Sequence, residues 1–178
     1  MTKEKPNKKQ LILDAAAAVV EHQGAAHLTI DAVAATAGIS KGGVLYHYPN
    51  KQTLLRGMLD RVIESQKARI ADNSRSLGGP HAHVLSVLQP LPKSEFTSAL
   101  AILAAAAEDP DLLANARTFM REIMDELRDG PHFAEALALI IAAEGLRIMD
   151  SLELVQASDE ERGLLTEHLL AQAERLSR

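Results

Sequence analysis

Apolar residues recur at three- and four-residue spacing along most of the chain, and its second half carries no period-two strand signal. Over 8–23, Ile12, Ala16, Val19 and Val20 form one stripe, and Gly24 stands where that stripe stops. Over 51–73 the stripe is Leu54, Leu55, Met58, Leu59, Val62, Ile63 and Ile70, with Asn50 in front as a cap. Gly78-Gly79-Pro80 breaks the chain, and a short helix over 81–88 ends ahead of Pro90 and Pro92. Ser94 opens a helix over 94–108, and Asp109-Pro110 opens another over 109–128, striped by Leu112, Ala116, Phe119, Met120, Ile123, Met124 and Leu127. Gly130-Pro131 separates it from a helix over 133–154. Ser158 and Glu161 form a capping box for a last helix reaching 176.

Residues 29–51, TIDAVAATAGISKGGVLYHYPNK, predict two more short helices around a tight corner. Thr29 caps the first, whose apolar face is Ile30, Val33, Ala34 and Ala37. Gly38 follows the last apolar position, where a left-handed residue ends a helix. Ser40 caps the second helix, with Val44 and Leu45 pointing inward, and Ala34 is small where the two helices cross. This is a helix-turn-helix, the motif that lays its second helix in the DNA major groove. Lys41, Tyr46, His47, Tyr48 and Lys51 are the polar or amphipathic side chains it offers. Lys41 is a candidate for base or phosphate contact. Tyr46 and His47 either donate to phosphates or, in the alternative, Tyr46 packs inside while His47 alone is exposed. The pattern as a whole predicts about nine helices: an all-α chain with an N-terminal three-helix helix-turn-helix domain, joined by a long helix to a second helical domain.

The helix from Phe133, FAEALALIIAAEGLRIM, is apolar on nearly every face and so requires cover on nearly every face. A core on one side and a partner subunit on the other supplies it. Ala142, Ala143 and Gly145 permit close approach, and with the last helix this one forms half of an intermolecular four-helix bundle. Leu139, Ile140, Leu146, Leu165 and Leu169 are the expected contact residues of a homodimer.

Composition adds direction to this outline. The chain has 178 residues, 47% hydrophobic but only 3% aromatic, so alanine and leucine do the burying. It has no cysteine, hence no disulfide and no thiolate chemistry, which fits a cytoplasmic location. The start, MTKEKPNKKQ, is polar and basic, so no signal peptide is expected, and no stretch is apolar enough to predict a membrane span. The net charge of −5 is unevenly spread: residues 1–56 hold seven Lys/Arg and four Asp/Glu, a net +3, while the remainder holds 12 and 20, a net −8. A basic front on an acidic body suits a DNA reader whose larger part stays off the phosphates.

Other chemistry is weakly signalled. His81 and His83 are two apart and so do not share a helix face, and no metal or other cofactor is expected. A helical enzyme is disfavoured: there is no nucleophile elbow, no phosphate-binding glycine loop and no HExxH. An effector-free DNA-binding architectural protein is the other alternative, disfavoured by the size of the second domain. Glu144 and Arg147, at i and i+3 within the apolar helix, either neutralise each other or line an effector pocket.

AGISKGGVLYHYPNKQTLL resembles the DNA-binding signature of the tetracycline-repressor (TetR) family of bacterial transcriptional regulators. Ala37-Gly38-Ile39-Ser40 matches the family's turn, Gly42 its recognition-helix glycine, and Lys51 the lysine that opens its fourth helix. Two positions depart from the family: Gly43 stands where most members have Thr or Ser, and Leu45 where most have Tyr, with Tyr46 one position later. Tyr48 stands where the family usually has an apolar aromatic, so the resemblance implies a core residue there rather than a DNA contact. The resemblance implies a DNA-binding domain over 1–56 and an effector-binding and dimerisation domain over 57–178. It implies a repressor that binds a palindromic double-stranded operator as a homodimer, is released by a small molecule, and is not an enzyme. The residues expected at DNA are Thr29, Ser40, Lys41, Gly42, Gly43, Tyr46, His47 and Lys51. The residues expected around the effector are Leu100, Leu103, Phe119, Ile123, Ile141, Glu144 and Arg147.

Overall fold

A computed structural model describes residues 7–152, 154, 155 and 157–177. The first six residues of the basic N-terminal segment lie outside the described residues. The described residues form nine α-helices and no strand. These are α1 (Lys8–Gln23), α2 (Ile30–Ala37), α3 (Lys41–His47), α4 (Lys51–Asn73), α5 (Gly79–Leu88), α6 (Lys93–Ala106), α7 (Ala114–Arg128), α8 (Phe133–Ser151) and α9 (Asp159–Leu176). The all-α expectation holds, and its stripes end where the caps fall. Two boundaries differ. The helix expected over 109–128 begins as a 3₁₀ turn, Pro110–Leu113, because the Asp109 side chain accepts from the Asp111 N–H at 3.2 Å and holds the first turn tight. The helix expected to reach 154 ends at Ser151, and Leu152 bonds back as its cap.

The chain divides into two compact units. Unit 1 comprises residues 1–63 and 91–117; unit 2 comprises 64–90 and 118–178. In unit 1, α1 packs against α2 and α6, and α2 against α3. The alanines of α1, Ala15, Ala16 and Ala17, are buried and let neighbouring backbones approach closely. On α6, Ser98, Ala101, Ile102 and Ala106 are buried. A helix stripe reveals which face is buried but not what covers it, so the membership of α6 in this unit is not apparent from sequence. Arg61 donates to Asp14 at 2.5 Å and ties α4 to α1, while Asn115 donates to Asp60 at 2.6 Å.

In unit 2, α5 packs against α8 and α9, and α8 against α9. Its core is Val84, Val87, Ile123, Leu127, Ala136, Ile140, Ala143 and Ala173. Removing such side chains from water contributes roughly 25 cal/mol per Å² of apolar area. The end of the chain closes the start of α5: Ser177 accepts from the His81 N–H at 3.1 Å and donates to the Ala173 carbonyl at 2.9 Å. Gly78 is required there, because a Cβ would lie 2.5 Å from the Ser177 Cβ. The α4–α5 seam is polar, with Gln66 donating to the buried Ser86 at 2.9 Å and Asn73 paired with Gln89. Among the described residues no helix is long and apolar enough to cross a membrane.

Candidate nucleic-acid interface

The segment 29–51 folds from its ends inward. Thr29 accepts from the Ala32 N–H at 3.1 Å and starts α2. Gly38 stops it at φ 66°, a left-handed conformation that suits glycine. The Ile39 N–H then reaches the Ala34 carbonyl at 3.1 Å and the Gly38 N–H reaches Ala35 at 3.3 Å, the paired bonds of a Schellman turn. Ser40 accepts from the Gly43 N–H at 3.1 Å and starts α3 one residue later. These bonds hold the corner, so the angle between α2 and α3 is set by backbone bonds as well as by packing.

The two tyrosines of α3 and its cap are sorted by the helix turn. Tyr46 is 83% exposed and Tyr48 8% exposed. The alternative in which Tyr46 packs inside is therefore overturned: the ring in the core is Tyr48, and His47, half-buried, meets Tyr46 edge to face with centroids 5.0 Å apart. Tyr48 fits because Gly57 on α4 leaves room; a Cβ there would lie 2.6 Å from its ring. Burial pushes the Tyr48 phenol above its ordinary pKa, opposed by the charge of Arg61 and reinforced by that of Asp60. Val44 is fully buried, while Leu45 is only half-buried.

What remains outward is polar or bare. Thr29, Ser40, Lys41, Gly42, Tyr46 and Lys51 are exposed, and Gly43 and His47 are half-buried. Gly43 has an internal neighbour, since a Cβ would lie 3.3 Å from the Ser40 Oγ that caps it, whereas a Cβ on Gly42 would meet nothing nearer than 4.0 Å. Lys51 opens α4 beside a reciprocal cap: the Thr53 N–H donates to Asn50 Oδ1 at 2.8 Å, and the Asn50 N–H donates to Thr53 Oγ1 at 3.2 Å. Lys41 is not a solitary cation. Its ammonium donates to Asp31 at 2.9 Å. Sequence reasoning passed over Asp31, although it is the single acidic residue from 29 to 51. Such a surface can meet a polyanion through the two lysines, two helix N-termini and the exposed backbone at Gly42.

The seven residues expected around an effector do not fall in one unit. Leu100 and Leu103 lie on α6 in unit 1, and Phe119, Ile123, Ile141, Glu144 and Arg147 in unit 2. Ile123 belongs to the core of unit 2, and the Phe119 ring is faced by the Lys67 ammonium at 5.6 Å. Leu103 and Ile141 are exposed at 50% and 58%. Arg147 donates to Glu144 through two nitrogens, so the pair does bind each other. None of the seven lines the cleft of about 480 Å³ in unit 1, whose walls include Leu28, Lys51, Leu55, Ala104 and Leu112. Nor do they line the cavity of about 190 Å³ in unit 2, beside Glu126, His132 and Leu176. His83 is buried with its ring 3.3 Å from Glu126, while His81 is half-buried on the same helix.

Residues 12–58 match the model of bacterial regulatory proteins of the tetR family, and residues 80–174 match the tetracyclin repressor-like C-terminal domain. A nucleoid occlusion factor, SlmA of Colwellia psychrerythraea (strain 34H), is 33% identical over 88 residues, 47% of this chain and 44% of that protein. The chain thus spans less than half the length of this curated relative. Among solved structures, the multidrug binding protein EbrR complexed with imidazole superimposes with a TM-score of 0.71 at 21% identity, covering 98% of this chain and 97% of that one. A transcriptional regulator from Rhodococcus sp. Rha1 gives 0.72 at 22% identity, covering 96% of each chain. GusR of Salmonella enterica gives 0.68 at 14% identity, covering 99% and 98%. These structures share the fold; the two domain matches, in chain order and together covering most of its length, show that the chain belongs to the TetR family of DNA-binding bacterial transcription regulators.

Proposed function

We propose that the chain is a cytoplasmic, ligand-responsive transcriptional repressor that binds a roughly palindromic operator as a homodimer and is released by a small molecule. Residues 1–56 read the DNA, and residues 57–178 carry dimerisation and effector binding. The observation that carries this reading is the doubly capped α2–α3 corner with Lys41, Gly42, Tyr46 and Lys51 all turned outward. A fixed corner holds α3 ready for the major groove with Lys41 at its start, and Lys51 supplies sequence-independent phosphate attraction. A dimer gives two such helices about one DNA turn apart, ~34–36 Å, or a multiple of it.

Dimerisation is supported by α8 and α9. Ile141, Ile148, Met149, Leu164 and Leu165 are exposed, an apolar surface of the kind that marks an interface. Gly145 lies mid-helix, yet a Cβ on it would meet nothing within 4 Å, so nothing inside the subunit requires a glycine there. A partner helix approaching closely would. Ile140, expected at that interface, is 3% exposed and belongs to the subunit's own core.

Release by an effector requires that the ligand favour the DNA-incompetent state; ~100-fold preference corresponds to about 2.7 kcal/mol. EbrR, which shares the fold, is a multidrug binding protein seen with imidazole. Glu144 and Arg147, half-buried on α8, are the pair assigned to orient the effector. The second reading is DNA binding without an effector, favoured by the size of the cavity beside Glu126 and His132 in unit 2, about 190 Å³, below the ~300–1,000 Å³ usual for ligand pockets. Selection of duplexes from a random-sequence pool by the full-length chain tests DNA reading, and small-molecule screening for loss of that complex separates the two readings. Enrichment of a palindromic sequence is expected. A Lys41→Ala/Lys51→Ala double variant that keeps wild-type affinity at physiological salt would defeat the assignment to 29–51.

A further inference from the structure

The DNA-facing segment contains an acid that the DNA-reading function does not by itself call for. Asp31 is the single acidic residue from 29 to 51, and it lies two positions after the Thr29 cap, in the first turn of α2. Its carboxylate accepts from the ammonium of Lys41, the first residue of α3, at 2.9 Å, and both side chains are exposed. The corner does not depend on this contact. Thr29, Ser40 and the Schellman turn already hold α2 and α3, and an exposed ion pair contributes little to stability. For a surface meant to meet phosphates, a carboxylate that neutralises one of two lysines is a cost. Its value has to lie in which DNA the surface accepts.

We infer that Asp31 is a specificity-determining positioning residue: it holds Lys41 at the mouth of the reading helix and withholds it from phosphates. This rests on the assignment of 29–51 to DNA. A lysine ammonium has three N–H donors. With one committed to Asp31, two remain for acceptors on a base edge, guanine O6 and N7 being the pair lysine most often meets. At an operator with such a base in reach, the ion pair stays intact and Lys41 makes its base contact. On other sequences the nearest acceptors are phosphate oxygens. Reaching for them breaks the ion pair and leaves the Asp31 carboxylate facing the negative backbone. Asp31 thereby penalises wrong duplexes more than the right one, so discrimination comes from a repulsive element as much as from an attractive one.

The test uses the full-length chain, the duplex it enriches from a random pool, and a scrambled duplex of equal length. Asp31→Asn is isosteric and exposed, so the fold is retained. It is expected to raise affinity for the scrambled duplex about 5- to 10-fold and to change operator affinity less than about 3-fold. The scrambled-duplex salt dependence should steepen by about one phosphate contact, ~0.9 in the log–log slope. Asp31→Glu, which keeps the charge, should restore most of the discrimination. In a Lys41→Ala background, Asp31→Asn should leave the operator-to-scrambled ratio where Lys41→Ala alone puts it. Equal gains on both duplexes, or the same loss of ratio with Lys41 absent, would show Asp31 acting as plain charge repulsion and overturn the assignment. If the wild-type chain enriches no duplex at all, the DNA reading itself fails, a result distinct from either of these.

Discussion

The outer face of α3 and the outer faces of α8 and α9 are both left uncovered by their own subunit, but with opposite chemistry. On α3 the exposed groups are Lys41, Gly42 and Tyr46, and only Val44 is buried. On α8 and α9 they include Ile141, Ile148, Met149, Leu164 and Leu165. Each surface also carries a helical glycine, Gly42 in the first turn of α3 or Gly145 within α8, that no neighbour in the chain requires. A helical glycine costs about 1 kcal/mol relative to alanine. Under the proposed function the reason lies outside: a groove that comes close to backbone in one case, a second helix in the other. Polar groups kept wet in the free protein suit a hydrated polyanion, whereas apolar side chains kept wet are costly until a like surface covers them.

The largest effect is expected at the apolar face. Leu165 is 45% exposed, whereas Leu169 packs against the core and would confound the result. Leu165→Asp places a charge in the proposed dimer interface and should raise the dimer dissociation constant at least ~30-fold, about 2 kcal/mol. Sedimentation should show more monomer, with operator affinity falling in parallel. A wild-type chain that sediments as a monomer at micromolar concentration breaks the comparison outright.

Lys51→Ala tests the polar face. It should weaken operator and scrambled duplexes alike, about 10-fold at physiological salt, and flatten the log–log salt slope by ~0.9. A change in sequence preference instead would make Lys51 a base reader.

Gly42→Ala sharpens the argument about bare backbone. With nothing nearer than 4.0 Å to obstruct the new methyl, thermal unfolding should show a gain of about 0.5–1 kcal/mol, while operator affinity falls. Stability and affinity rising together would mean the groove does not approach there.

The smallest effect is at the foot of α9. Hydrogen bonds from the Ser158 backbone and hydroxyl hold the Glu161 carboxyl below its ordinary pKa of 4.5. A depressed folded-state value contributes stability that is full above the unfolded value and is lost as pH falls through the folded one. The stability difference between wild type and Glu161→Gln should therefore be present at neutral pH and vanish below the depressed value. A difference that persists in strong acid would mean that the carboxylate charge has no part in the cap.

Much of this was open to sequence reading because it is local. Thr29, Gly38, Ser40 and Ser158 each act within five residues of themselves, and the helix starts they imply at α2, α3 and α9 are where the structure has them. The orientation of Tyr46 was not open, because it lies near the end of a short helix where the stripe is too brief to assign a side, whereas Tyr48 was expected in the core and is there. The space left by Gly57 admits its ring. The distribution of the effector set was not open either: Leu100 and Phe119 look alike as stripe residues, yet they belong to different units.

What the chain's own order determines is where helices begin and end, which face of each is apolar, and the corner that presents α3, since caps, left-handed glycines and periodicity act over a few residues. What only the tertiary structure decided is who covers whom. It set α6 against α1, closed α5 with Ser177, placed Ile140 in the core rather than at a partner, and brought Asp31 to Lys41. Those pairings join residues from ten to nearly a hundred positions apart, and an apolar or charged side chain carries no mark of its distant neighbour until packing selects one.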